Sequence, residues 1–348
     1  MNCEKKTKKN IEYLELLRII ACFFVIVNHT VTGEILVQNP GGGKWIFLTI
    51  YFFLCKTAVP IFLMISGILL LGKIDSYSKC IKRVVRIVLD IIFFSLIYYI
   101  RNCYESKMKI SLSEFFEIIS NRHITNAYWY LYLYLGILVV LPLLQRMANN
   151  MKKKEYQYLL VLSIGFLGTM PILNHYFPKI GYHSMLTVPF FSEYIGMMFC
   201  GYFVHNYIDL QKKYVFVSLI LVVATVGSEV YATYREYLAM PEDYLFFDNR
   251  VYIPIVITGT AILYLTRWLQ AKIQSEIVWK FIMVIGSTTF GIYLLSDLFI
   301  DMYTGIYIEL MSHMNILIAL VLYQIIVFLT GMFITLILRR VPLIKRII

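Results

Sequence analysis

Long apolar runs alternate along this chain with short segments that hold most of its charge. A helix needs about 20 mostly apolar residues to cross the hydrocarbon core of a bilayer. Ten stretches meet that need: 11–32, 46–71, 82–101, 127–146, 156–174, 188–207, 214–234, 250–268, 279–300 and 314–337. The second run is long and contains Lys56 and Pro60, so a kink or break is expected there. Segment 111–120 carries apolar residues at 112, 115, 116, 118 and 119, which predicts a short amphipathic helix on a membrane surface.

The charge between the runs sets an orientation. With the N-terminus inside, the inner segments hold 22 Lys and Arg and the outer ones 8, while Arg18 and Lys56 lie within spans. Basic residues accumulate on the cytoplasmic side, so both ends are expected inside. The predicted fold is an all-α polytopic membrane protein of about ten transmembrane helices. It has a basic tail at 1–10, one membrane domain over 11–337 and a second basic tail at 338–348. No linker rich in Pro, Gly or Ser divides the chain, and no internal repeat of the kind that builds many transporters is evident.

Composition agrees with a membrane protein. Of 348 residues, 59% are apolar and 15% charged, against roughly a quarter charged in soluble domains. The net charge of +11 does not point to nucleic acid, because the basic residues flank apolar runs. No cleavable signal peptide is expected: the basic start at Lys5 to Lys9 leads into a run too long for one. The six cysteines show no CxxC spacing and sit mostly in apolar runs, which suits small packing residues. No metal site is expected.

Ionisable groups within spans are costly and are candidates for function. Here they are Glu15, Arg18, His29, Lys56, Asp90, Glu193 and Asp297. Arg18 and His29 are eleven residues apart, which is about 20° beyond three full helical turns, so one helix face carries both. The rise between them is about 16 Å. Glu15 extends the stripe by one turn. Position alone fits two readings equally: a polar stripe facing a bundle interior, or an arginine snorkelling to headgroups with a histidine at the interface.

The stretch Tyr13 to His29, with its Arg-x10-His, resembles the opening motif of the membrane-bound acyltransferase 3 family. Further blocks resemble the same family in order: Val59 to Gly67, Lys82-Arg83 with Arg86, Trp129-Tyr-Leu131 followed by Leu141-Pro-Leu-Leu144, Tyr194 to Tyr202, and Gly286 to Leu294. Two departures stand out. Many members have a histidine where this chain has Ser296-Asp297, and another where it has Asn126-Ala127-Tyr128.

The resemblance implies transfer of an acyl group, usually acetyl, from cytoplasmic acyl-CoA to a hydroxyl of a surface or lipid-linked glycan. The expected partners are the bilayer, acyl-CoA as donor substrate and the glycan acceptor, with no tightly bound cofactor and no nucleic acid. The expected setting is a plasma membrane, that of a bacterial cell. His29 would act as general base or carry the acyl group, a role that suits an imidazole at neutral pH. Arg18 would hold an anionic part of the donor, as would Lys82, Arg83 and Arg86 at the start of the third span; simple flanking charge also explains those three. Ser66 and Gly67 would line the donor's path or pack helices. Glu193 would contact the acceptor or orient His29. Trp129 and the tyrosines at 128, 130, 132 and 134 would stack a sugar or form an interfacial belt. Asp90 and Asp297 suit structural ion pairs as well as chemistry. The histidines at 123, 175, 183, 205 and 313 carry no expected role.

The resemblance also admits two other functions. One is an amino-acid or small-solute transporter of the kind joined to racemases, and the other a non-catalytic partner in polysaccharide export. Homo-oligomerisation is left open by the sequence.

Overall fold

The computed structural model describes residues 11–177, 192–239 and 253–342. Among them the regular structure is helical throughout: α1 (Tyr13–Leu36), α2 (Gly43–Lys56), α3 (Ala58–Leu70), α4 (Tyr77–Glu105), α5 (Leu112–Asn121), α6 (Trp129–Asn150), α7 (Lys153–Leu160), α8 (Leu167–Tyr176), α9 (Glu193–Tyr207), α10 (Lys212–Ala239), α11 (Ile253–Gln270), α12 (Glu276–Met302), α13 (Thr304–His313) and α14 (Ile316–Leu338). A 3-10 turn at Asn126–Tyr128 leads into α6, and a π-helical turn at Val161–Phe166 joins α7 to α8.

Among the described residues, seven helical segments are long and apolar enough to cross a membrane: Tyr13–Leu36, Gly43–Leu70, Asn126–Asn150, Lys153–Tyr176, Lys212–Ala239, Glu276–Met302 and Ile316–Leu338. Each covers one of the ten expected runs. The other three runs fall on α4, α9 and α11. The first is 29 residues long but charged at its start, and the described parts of the others have 15 and 18 residues. At 1.5 Å per residue, 15 residues rise only about 22 Å, short of a hydrocarbon core of about 30 Å. The first ten residues, the last six and the stretches 178–191 and 240–252 lie outside the described residues, and with them most of both expected tails.

The chain forms two compact units. The first takes residues up to 24, 31–74 and 145–286, and the second takes 25–30, 75–144 and 287 onward. The short central stretch of α1 that includes His29 thus belongs to the second unit.

In the first unit the expected break falls between α2 and α3, at Thr57. Pro60 cannot donate to the carbonyl of Lys56, and its ring crowds that oxygen. The Thr57 hydroxyl donates instead to the carbonyl of Leu54 at 2.6 Å. Lys56 turns its ammonium over the Phe52 ring, 4.7 Å from the centroid. Beyond the break, α3 and α9 touch backbone to backbone. A Cβ on Gly67 would stand 1.9 Å from the carbonyl oxygen of Met198, and one on Gly201 would stand 2.4 Å from that of Met64. Small residues let membrane helices approach this closely, so Gly67 is a packing residue.

α10 shows the other face of membrane packing. Phe216 and Val223 stand exposed on its outside, while Ser218, Glu229, Thr233 and Glu236 are buried on its inside. The polar residues hold few partners: Thr225 pairs with Thr258 at 2.6 Å and Glu236 with His175 at 3.0 Å. Both carboxylate oxygens of Glu229 are buried with no hydrogen-bond partner among the described residues.

The second unit contains the expected amphipathic helix. α5 buries Phe115 and Ile119 against Tyr99 and Cys103 of α4 and leaves Leu112 and Phe116 exposed. The Ser111 side chain caps its first turn by accepting from Glu114 N. The Tyr99 hydroxyl donates to Glu114 at 3.0 Å and fixes the crossing. At the far side of this unit, the Tyr323 hydroxyl of α14 donates to the Ile300 carbonyl of α12 at 2.6 Å. Cys22, Cys55, Cys80, Cys103 and Cys200 are all buried free thiols, as packing residues should be.

Candidate functional site

His29 finds a carboxylate in the second unit. Its Nδ1 lies 3.6 Å from Oδ1 of Asp297, a residue of α12. That separation is an ion-pair distance and longer than a hydrogen bond. Both side chains are mostly buried, 19% and 10% exposed. At the next residue, Gln324 of α14 donates to the Thr30 hydroxyl at 2.8 Å, which fixes this stretch of α1.

Asp297 is held from its other oxygen. Oδ2 accepts the Thr125 hydroxyl and, at 3.1 Å, the backbone N–H of Ala127. Oδ1 has no hydrogen-bond partner among the described residues and faces His29 alone. A buried carboxylate is tolerated where hydrogen bonds and a cation compensate its lost hydration. Here, among the described residues, the segment before α6 supplies the donors and the imidazole is the basic group paired with it.

Why the segment 125–128 lies there follows from its aromatic residues. The Tyr293 hydroxyl of α12 donates to the Ala127 carbonyl at 2.5 Å, and the Tyr128 hydroxyl donates to the Leu294 carbonyl at 2.8 Å. Tyr98 of α4 reaches the same place. Its hydroxyl donates to the Leu294 carbonyl at 3.1 Å and accepts from the Leu298 N–H at 3.0 Å. The rings of Tyr98 and Tyr128 meet edge to face at 5.5 Å. Tyr128 is thus a buried structural residue rather than part of a surface belt.

The two departures noted in the sequence lie in the same clamp. Ser296 is buried and donates to the Tyr293 carbonyl at 2.9 Å, and Asn126 opens the 3-10 turn. Neither contributes an imidazole. Asp297, one residue on, provides the group that meets His29.

Arg18 belongs to the first unit and to the same continuous helix as His29. Its guanidinium pairs with Glu15 one turn earlier. The second oxygen of Glu15 is buried, with no hydrogen-bond partner among the described residues. It sits where a Cβ on Gly286 of α12 would come within 2.6 Å, so α12 passes this turn of α1 with no room for a side chain.

The basic start of α4 divides. Arg83 Nη1 lies 2.7 Å and Lys79 Nζ 2.6 Å from the two oxygens of Asp75, a residue only 5% exposed in its side chain. Lys82 and Arg86 are exposed. Arg86 is the basic neighbour of Asp90, which lies one turn on and is fully buried. The Ser66 hydroxyl donates to the Phe62 carbonyl of its own helix at 2.9 Å. Glu193 is the first residue of α9 in the first unit, half-buried behind the Ser192 cap. Trp129 is 36% exposed and packs edge-on against Tyr130, which stacks on Tyr134 at 5.9 Å.

Sequence reasoning did not foresee three contacts: His29 with Asp297, His175 with Glu236, and the Tyr13 hydroxyl with His205 Nδ1 at 2.7 Å. The pairs are separated by 268, 61 and 192 residues, and helix periodicity says nothing about such distances. The one signal for the first was an acidic residue inside an apolar run at the point where the family blocks depart.

Searches of curated proteins and of solved structures find no match. The profile of the acyltransferase domain, by contrast, matches residues 11–340. That span takes in α1 with its Arg18 and His29, the broken second span, the start of α4 and the Asp297 turn of α12. The chain is a multi-pass transmembrane acyltransferase of the acyltransferase 3 family.

Proposed function

We propose that this acyltransferase moves an acetyl group from cytoplasmic acyl-CoA to a hydroxyl of a cell-surface or lipid-linked glycan, with His29 as general base. The observation that carries the reading is the pairing of His29 with Asp297. In the tautomer that suits catalysis, Nδ1 bears hydrogen and turns toward Asp297, and Nε2 is left to accept the acceptor's hydroxyl proton. The hydroxyl oxygen then attacks the thioester carbonyl. The C–S bond breaks, the acyl–oxygen bond forms, and the proton held on Nε2 neutralises the departing thiolate. Asp297 stabilises the imidazolium that exists between the two proton transfers.

Arg18 remains charged where water is scarce and holds an anionic part of the donor. Glu15 keeps its guanidinium in place until the donor arrives. Lys82 and Arg86 meet the donor's phosphates at the cytoplasmic start of α4, and Arg83 joins them through a side chain anchored on Asp75. Trp129 contacts the sugar by stacking. The direction of transfer rests on the inward bias of Lys and Arg, which sets the amino end of α1 in the cytoplasm.

The test is acetyl transfer by the purified protein in liposomes, with labelled acetyl-CoA and membrane glycan. CoA release or labelled glycan that vanishes in His29→Ala and Arg18→Ala is the expected outcome. Turnover that survives His29→Ala overturns the base assignment. Transfer supported equally by a donor without CoA overturns the donor.

A further inference from the structure

Tyr98 is fully within the second unit and 3% exposed, and the reaction as described makes no use of it. Its hydroxyl stands between two backbone groups of α12. It takes the N–H of Leu298 at 3.0 Å and gives its own hydrogen to the carbonyl of Leu294 at 3.1 Å. In a regular α-helix those two groups are each other's partners, residue i to i−4. The hydroxyl thus bridges both ends of one turn of α12, which is helical without interruption from Glu276 to Met302. The turn in question runs from Leu294 to Leu298 and carries Asp297.

Nothing in packing alone asks for a hydroxyl here. A phenylalanine would fill the same volume without touching either backbone group. Leu294 also receives the Tyr128 hydroxyl at 2.8 Å, so its carbonyl stays satisfied without Tyr98. The Leu298 N–H is different, since among the side chains Tyr98 is the one it reaches. The hydroxyl therefore ties the donor side of the turn, next to Asp297, to α4.

We infer that Tyr98 is a positioning residue for the reaction: by tying the Leu294–Leu298 turn of α12 to α4, it aims Oδ1 of Asp297 at His29. The charged groups around this turn are accounted for. Arg101 and Asp301 pair with each other at 3.2 Å one turn further on, and Asp90 lies within electrostatic range of Tyr128. None of them contacts the imidazole, so the Asp297 angle is the quantity that Tyr98 controls. The catalytic consequence rests on the acyl-transfer reading above. The positional one does not.

The experiment separates these two. Diethyl pyrocarbonate modifies neutral imidazole nitrogen, and mass spectrometry of the peptide bearing His29 gives its rate in intact membranes. A carboxylate on Nδ1–H makes Nε2 more nucleophilic, so Asp297→Asn slows His29 labelling. Tyr98→Phe is expected to slow it to the same degree, and Tyr323→Phe, which removes an equally buried hydroxyl from the Ile300 carbonyl of the same helix, leaves it near the wild-type rate. In acetyl transfer, Tyr98→Phe is expected to lower kcat by about ten- to a hundredfold with the KM for acetyl-CoA unchanged, as a displaced catalytic group would. In an Asp297→Asn background it lowers kcat no further. His29 labelling in Tyr98→Phe at the wild-type rate overturns the inference, as does a further drop in the Asp297→Asn background. Absence of acetyl transfer in the wild-type protein with the labelling pattern intact overturns the donor and acceptor assignment alone.

Discussion

Replacing Asp297 by asparagine changes one atom and reverses the polarity offered to His29. The amide must keep its oxygen where Oδ2 now accepts the Ala127 N–H at 3.1 Å, because an NH2 group there would face another donor. The NH2 group then takes the Oδ1 position, 3.6 Å from Nδ1. It donates where the carboxylate accepted, favours hydrogen on the other ring nitrogen and removes the partner of the imidazolium. At 3.6 Å and an effective dielectric constant of about 20, that lost attraction is about 4.6 kcal/mol. At 1.36 kcal/mol per tenfold the ceiling is about two-thousandfold in rate, and rearrangement around the site brings the expectation to about a hundred- to a thousandfold. The assay is acetyl-CoA turnover at saturating donor, with thermal unfolding in detergent as the control for folding. The expected result is a large fall in kcat with donor KM and melting temperature near those of the wild type. Turnover within about threefold of wild type would refute the proposed role of the carboxylate.

Three other outcomes follow from contacts already described. Gly67→Ala places a methyl 1.9 Å from the Met198 carbonyl, where ordinary contact begins near 3.4 Å, so α3 and α9 must part by more than 1 Å. Overpacking of this kind costs about 1–3 kcal/mol, read as a lower melting temperature, and an unchanged one would show that the helices do not touch. Glu229→Met removes a buried carboxyl that has no hydrogen-bond partner among the described residues, which should stabilise the first unit by about 1–3 kcal/mol; destabilisation on thermal melting would show that the carboxyl is engaged. Arg86→Ala should raise the KM for acetyl-CoA with little change in kcat. The effect should shrink with the thioester of dephospho-CoA, and an equal effect on both donors would remove the phosphate from the account.

Much of this architecture is legible from hydropathy, because lipid imposes its length requirement on every span separately. The same local logic locates the break at Pro60 and the amphipathic turn pattern of α5. Charge marks Arg18, His29 and Asp297 as costly residues, yet it cannot pair them. Glu193 was a natural candidate to orient His29, being an acidic residue near a span end. Asp297 is the carboxylate that pairs with His29, and its geometry is set by Thr125, Ala127 and Tyr293, which a one-dimensional pattern does not bring together. Gly67 likewise offers two readings in sequence, path-lining or packing, and only the nearness of the Met198 carbonyl decides for packing. The basic cluster of α4 looks uniform in sequence, whereas Asp75 singles out Lys79 and Arg83.

The interruption between α2 and α3 bears on solvation at that depth. Pro60 has no hydrogen to give the Lys56 carbonyl, so that oxygen must find its partner in protein or water. Hydrocarbon can supply neither, and bare backbone at membrane depth is stable only where chain or a wet crevice surrounds it. The turn at Thr57 therefore marks a side of the second span that acyl tails cannot wet, and lipid-soluble quenchers or crosslinkers should leave it untouched while reacting along the outward faces of α10.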